Sequence, residues 1–338
     1  MLPDTPFLLE STRSRFPQIT GDIQLEPILK GGSDRRYYRI TEDGAHSGML
    51  LMAFDTNRPD NINFSPATRL LEKLETSVPR IVSEDTDNRL LWLEDVGTED
   101  LHSFANSSWE VRAPLYKAAL TEVAILHRIG EEDLTNTPTN MLGPTFDSDL
   151  YRWEQGYFFE HFVRRCTDLS ESEADSLTNA PFLNSLADGL ASLPRFLVHR
   201  DFQSENIMVK DGKVFLIDYQ GLRFGRPEYD IASLIYDPYV TLAKDERSEL
   251  ILFYQESMGL EGTSFRECLA KCATQRLMQA LGAYGNLGLN LGKAHYLDFM
   301  VPAMENLVEA TNSIPELEPI RDLRTRIKIP EITDEASP

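Results

Sequence analysis

Apolar positions along the chain change their period near residue 110. From about residue 21 to about residue 93 they fall in short extended runs, and after about residue 110 they recur every three or four positions except around one hairpin. The first pattern predicts strands and the second predicts amphipathic helices. The expected fold class is therefore α+β in two lobes, a small strand-rich unit over residues 1–96 and a larger, mostly helical one over residues 97–338.

In the smaller unit, IQLEPILKGGSDRRYYRITE reads as two strands joined by Gly31, Gly32, Ser33 and Asp34, and SGMLLMAF reads as a third. A polar, glycine-containing turn brings backbone N–H groups close to a phosphate, although a plain hairpin loop has the same composition. NFSPATRLLEKLE sets Leu70, Leu71 and Leu74 at helical spacing, with Ser65 as N-cap and Pro66 at the first helical position. RLLWLEDVGTEDL then carries an apolar strand into Glu94, Asp95, Val96 and Gly97. The backbone of such a strand end either reads an adenine edge or is an ordinary crossover between lobes.

In the larger unit, SSWEVRAPLYKAALTEVAILHRIG brings Leu115, Ala118, Ala119, Val123, Leu126 and His127 near one stripe, which makes His127 a core-edge histidine. DLYRWEQGYFFEHFVRR is a second helix; its Trp153, Tyr157, Phe158 and Phe162 are core-type, while Glu154, Glu160 and His161 are substrate-contact candidates. In GRPEYDIASLIYDPYV, Asp230 is an N-cap or first-turn acid of an apolar helix, or a brace accepting hydrogen bonds from an earlier loop. The final stretch from TNSIPELEP onward, rich in Pro and charge, reads as a loosely ordered tail.

The chemistry is concentrated between His199 and Asp218, in HRDFQSENIMVKDGKVFLID. Phosphoryl transfer needs an oriented hydroxyl and metal-neutralised phosphates more than covalent help. In the H-R-D-x-x-x-x-N pattern the Asp takes the hydroxyl proton and the Asn offers an oxygen to magnesium. His199, Arg200, Asp201 and Asn206 fill that pattern. The Asp211-Gly212 turn folds the following residues into a hairpin, which returns Asp218 to the side of Asn206. Two oxygen ligands plus phosphate oxygens suit magnesium. The expected activity is ATP-dependent phosphorylation, with Asp201 as catalytic base, Asn206 and Asp218 as metal ligands, Asp201 and Gln203 facing the acceptor, and His199 and Arg200 supporting the loop.

Bulk properties remove other classes. The formal charge of -21, from 33 Lys plus Arg against 54 Asp plus Glu, argues against nucleic acid and anionic membrane as partners. No apolar stretch approaches a membrane span, and the first residues lack a secretory pattern. Cys166, Cys268 and Cys272 have no zinc-type clustering and fit a reducing cytoplasm, with Cys268 and Cys272 as buried small hydrophobes on one helix face.

HRDFQSENIMV, VFLIDYQ and GRPEYDIASLIYDPYV resemble the catalytic loop, the metal-binding acid and the loop-bracing acid of the aminoglycoside phosphotransferase superfamily, relatives of eukaryotic-type protein kinases. The resemblance spans most of the chain and implies a protein-kinase-like bilobal fold using ATP and Mg2+. It implies cofactor contacts at Gly32, Ser33, Asp34, Glu94 and Val96 and structural support from Asp230. GGSDRRYYRI, LLWLEDVG and YDIASLIYDPYV are most similar to the bacterial branch of anomeric kinases for N-acetylmuramate and N-acetylglucosamine, which implies a sugar 1-kinase of cell-wall recycling. An aminoglycoside, choline or another alcohol is the alternative acceptor, and a noncatalytic nucleotide-binding regulator is the third reading. The connection from Asp218 to Asp230 is too short for a long activation segment, so a small acceptor is expected rather than a peptide. One feature departs from the kinase pattern: SGMLLMAFDTNRP lacks the third-strand Lys that pairs the alpha and beta phosphates, and Asp55 cannot replace its charge. Arg35, Arg36 or Arg39 is expected to supply it, with Glu72 either as a partner of one of them or as an exposed helix charge.

Overall fold

The computed structural model describes residues 3–28, 35–55, 59–135 and 138–330. Helix α1 (Thr5–Arg15) precedes strands β1 (Ile23–Ile28), β2 (Arg36–Glu42) and β3 (Ala45–Ala53); helix α2 (Pro59–Lys73) leads to β4 (Ile81–Asp85) and β5 (Leu90–Glu94). The five strands form one antiparallel sheet in the order β1-β2-β3-β5-β4. Strand alternation sends Leu51, Ile40, Tyr38 and Trp92 to one face, where Leu8 and Phe16 of the α1 segment cover them. Met52, Leu91 and Leu93 point the other way, onto Phe64, Leu70 and Leu71 of α2. The sheet is thus covered on both faces, which is why LLWL of β5 is buried throughout.

The small lobe departs from the sequence reading at two points. Helix α1 was not foreseen, although Asp4 caps it by accepting from the Phe7 N–H and Pro6 sits in its first turn. Helix α2 begins at Pro59, so Ser65 and Pro66 lie inside it. The Ser65 hydroxyl bonds the Glu84 carboxylate at 3.0 Å rather than capping the helix. An X-Pro pair that resembles a start signal is here an interior step, carried by the apolar face of α2 against the sheet.

Helix α3 (Trp109–Leu126), helix α4 (Ser148–Phe158) and the short α5 (Arg164–Cys166) open the larger lobe. They are followed by α6 (Glu171–Thr178) and α7 (Pro181–Ala191). Strand β6 (Phe196–Val198), the hairpin β7 (Ile207–Lys210) with β8 (Lys213–Leu216), and β9 (Arg223–Gly225) make the only strands of this lobe among the described residues. Then come α8 (Pro227–Ile235), α9 (Lys244–Met258), α10 (Ser264–Gly285), α11 (Met300–Thr311) and α12 (Glu318–Arg321). The hairpin is tied to the segment joining the lobes: Lys210 Nζ donates to the Asp95 carbonyl at 2.7 Å, and the Val209 N–H donates to the Glu99 carbonyl at 2.8 Å.

The C-terminal stretch is packed through residue 330, not loose. Leu317, Ile320 and Leu323 recur every three residues and are all buried, and the Lys328 N–H donates to the Cys166 carbonyl. Its Pro and charge content masked that apolar stripe. No helix among the described residues is long and apolar enough to cross a membrane.

Candidate functional site

The site grows out of the loop after β6. Its backbone is held from below by Asp230, a fully buried acid in the first turn of α8. Asp230 accepts the His199 N–H at 2.6 Å and the Arg200 N–H at 2.8 Å, one on each carboxylate oxygen. Arg226 is the cap of α8, so of the two readings of Asp230 the geometry is that of the brace. His127 is part of the same support: Nε2 meets the Asp230 carboxylate at 3.1 Å and Nδ1 meets the Tyr254 hydroxyl at 2.7 Å. Arg200 has φ +79, a conformation that a bulky side chain adopts only where its surroundings impose it. The Asp230 grip on two successive N–H groups is that imposition.

Asn206 joins the loop to the hairpin. Its amide Nδ2 donates to the Asp201 carbonyl at 2.8 Å, and its own carbonyl accepts the Ile217 N–H at 3.0 Å. The His199 ring, through Nε2, contacts the Ile217 carbonyl at 3.0 Å. Asp218, next in the chain, turns away in the left-handed region at φ 61 and presents a half-exposed carboxylate. With Nδ2 engaged, the Asn206 Oδ1 stands free among the described residues. That oxygen and the Asp218 carboxylate form a hard donor set of the kind a magnesium ion takes alongside water and phosphate.

Asp201 lies beside the turn that follows Asp218. A Cβ at Gly221, three residues past Asp218, would be 3.6 Å from Asp201 Oδ2. Arg200 donates to that same oxygen at 3.1 Å, and Arg276 of α10 approaches Oδ1 at 4.0 Å. Burial alone would raise the Asp201 carboxyl, but Arg200, Arg276, His199 and Arg223 outweigh it and hold the group below its ordinary value. Gln203 accepts from Arg276 Nη2 at 3.0 Å, which leaves Arg276 spread across Gln203, Ser233 and Gln279.

On the opposite side of Asp218 the three arginines separate. Arg35 donates to the Asp218 carboxylate at 3.3 Å and lies over the Phe64 ring; its Nε and Nη1 are buried without a hydrogen-bond partner among the described residues. Burial pushes the neighbouring Tyr37 phenol up to about 12, against the pull of Arg35. Arg36 is exposed on β2. Arg39 grips Asp95 at 2.6 and 3.1 Å and the Gly97 carbonyl at 3.0 Å, so it braces the strand end rather than facing a phosphate. Glu72 is exposed and has no ion pair with these arginines among the described residues. The contact from α2 to the segment after Asp218 is made instead by Thr68, whose hydroxyl lies 2.8 Å from the Tyr219 hydroxyl.

Gly32, Ser33 and Asp34 lie outside the described residues. Glu94 ends β5 with its carboxylate on Arg80 at 2.9 Å, and Val96 is buried in the segment that follows. Glu154, expected as a substrate contact, is instead 1% exposed, with its carboxylate taken by the Tyr229 hydroxyl at 2.9 Å and Gln275 at 3.1 Å. Burial raises its pKa. The helical period put it on the polar face, but α10 packs over that face. His161 sits in a wide helical turn over Phe159–Val163, against Tyr157 and Asn290 rather than the catalytic loop. Arg223 and Arg276 were missed, because nothing local marks an arginine on a three-residue strand or inside an apolar helix.

A model of the family described as "Phosphotransferase enzyme family" matches residues 24–265. The N-acetylmuramate/N-acetylglucosamine kinase of Pseudomonas putida is 23% identical over 313 residues, covering 90% of this chain and 89% of its own. The enzyme of the same name from Neisseria meningitidis is 23% identical over 308 residues, covering 88% and 89%. Among solved structures, a choline/ethanolamine kinase family protein from Mesorhizobium loti aligns with a TM-score of 0.60 at 14% identity, over 94% of this chain and 99% of that one. A streptomycin-ATP complex of the aminoglycoside phosphotransferase APH(2")-IIa aligns with a TM-score of 0.60 at 14% identity, over 88% and 97%. The two-lobed fold of these kinases is the fold found here, and the chain belongs to the phosphotransferase enzyme family.

Proposed function

We propose that this phosphotransferase moves the gamma-phosphoryl group of ATP to the anomeric 1-hydroxyl of an amino sugar of the N-acetylmuramate or N-acetylglucosamine type. The observation that supports the chemistry is the pair of Asn206 hydrogen bonds, to the Asp201 carbonyl and from the Ile217 N–H, which tie the loop of Asp201 to the strand end that leads into Asp218. The amino-sugar acceptor is supported by relatives that match nine-tenths of the chain and carry that activity in their names.

In this reading Asp201 receives the hydroxyl proton. Its depressed pKa keeps it ionised and oriented, and Arg200 fixes its direction. Asn206 and Asp218 would hold magnesium, whose charge when bound neutralises the phosphate oxygens. Arg35 takes over from the absent third-strand Lys. Its unpartnered Nε and Nη1 beside Asp218 are donors suited to a phosphate. The strand end at Glu94 and Val96 would hold the adenine.

Purified protein with Mg-ATP and a panel of amino sugars, free sugars, choline and aminoglycosides tests the assignment, with NMR locating the new phosphate. The expected product carries it at C1. A phosphate at C6, or on choline, rejects the anomeric reading.

A further inference from the structure

Three guanidiniums surround Asp201, yet only part of that charge is spent. Arg276 is spread over Ser233, Gln203 and Gln279, and Arg200 gives one nitrogen to Asp201. Arg223, on β9, is 8% exposed and lies over the Phe146 ring at 5.4 Å. Its Nε donates to the Gly221 carbonyl at 3.0 Å, while Nη1 and Nη2 have no partner among the described residues and are not sealed from solvent. It has no ion-pair partner there either, whereas its neighbour Arg226 is paired to Glu228 through two bonds.

The backbone is shaped around this side chain. A Cβ at Gly143 would come 2.9 Å from Arg223 Nη2, and one at Gly221 would come 3.4 Å from Arg200 Cδ. Gly221 therefore joins Arg200, Arg223 and Asp201 in one corner. Burial and the like charge of Arg200 work against the charged form of Arg223, and Asp201, Tyr229 and Glu154 offset them only in part. Arg200 spends one nitrogen on Asp201 and Arg223 has no ion pair among the described residues, so two adjacent guanidiniums keep free N–H groups that an anion would complete.

Building on the acceptor reading above, we propose that Arg200 and Arg223 form an anion subsite that recognises a carboxylate or other negative substituent on the acceptor. Phosphate recognition falls to Arg35 on the Asp218 side, so the acceptor side is left with its own cationic pair. A planar guanidinium binds a carboxylate through two parallel bonds. Polycationic acceptors are disfavoured by the same pair, despite the overall charge of -21.

The test compares matched acceptors with and without the negative group: N-acetylmuramate against N-acetylglucosamine, glucuronate against glucose, and glycerate against glycerol. Whichever pair is turned over, the anionic member is expected to have the higher kcat/KM by roughly 10–100-fold. Arg223→Gln should collapse that ratio towards one, and Arg223→Lys should keep part of it, with thermal melts of both showing a folded protein. Equal use of both members by the wild type, an unchanged ratio in Arg223→Gln, or turnover of no anionic member overturns the subsite. Preference for glycerate or glucuronate with no amino-sugar turnover would instead uphold the subsite and reject the amino-sugar assignment.

Discussion

The two sides of the site are built to different tolerances. The catalytic loop rests on Asp230, which is fully buried and spends both carboxylate oxygens on successive backbone N–H groups, with His127 and Tyr254 behind it. The phosphate side offers a half-exposed Asp218, reached by Arg35 through one long bond of 3.3 Å. A buried, fully satisfied network fixes a position, and a half-exposed one leaves room for adjustment. On the proposed function, the base is thus set in advance, while Arg35 and Asp218 have capacity left for a ligand.

The largest effect should come from Asp201→Asn. Loss of the base should lower kcat about 10³-fold with the ATP KM nearly unchanged, since general-base catalysis supplies roughly 10²–10⁴-fold. Steady-state kinetics decides, and near wild-type turnover would refute the role. Next, Asp230→Ala should cost about 3 kcal/mol of unfolding free energy, read by urea titration, because it leaves His127 and two N–H groups without their acceptor. If stability and kcat were both unmoved, the rigid half of the comparison would fail.

On the adjustable half, Arg35→Ala should raise the ATP KM roughly tenfold or more, as loss of a hydrogen bond to a charged group costs about 1.5–3 kcal/mol. Arg36→Ala should leave it within about twofold. Arg39→Ala should act mainly on stability, through Asp95, by roughly 1–2 kcal/mol. An equal KM effect from all three would erase the distinction between them. The smallest signal is in the pH profile. Asp201 has a depressed folded pKa, so the stability it contributes is present above the unfolded carboxyl value and is lost only as pH falls through the lower folded value. Chemistry-limited turnover should therefore show no Asp201 inflection between about pH 5 and 8; one that disappears in Asp201→Asn would contradict the electrostatics.

Much of this was legible in the chain. Short extended apolar runs located β2, β3 and β5, and the Asp211-Gly212 turn located the β7-β8 hairpin that leads from Asn206 to Asp218. The start of α2 and the packed C-terminal stretch were misread, since Pro and charge look like boundaries when the apolar partner is far away in sequence. Glu154 was misplaced for the same reason: one helix shows its polar face, and α10, more than a hundred residues later, decides whether that face meets water.

What the sequence determined by itself was local: periods, turns and a loop whose functional groups lie within twenty residues of one another. Tertiary structure alone decided which arginine meets Asp218, which is consumed by Asp95, and which stands near Asp201 with no ion pair among the described residues. The reason is physical. Hydrogen-bonded turns and strand alternation act over a few residues, whereas the partner of a charge is chosen by whatever distant segment the packing brings within about 4 Å of it.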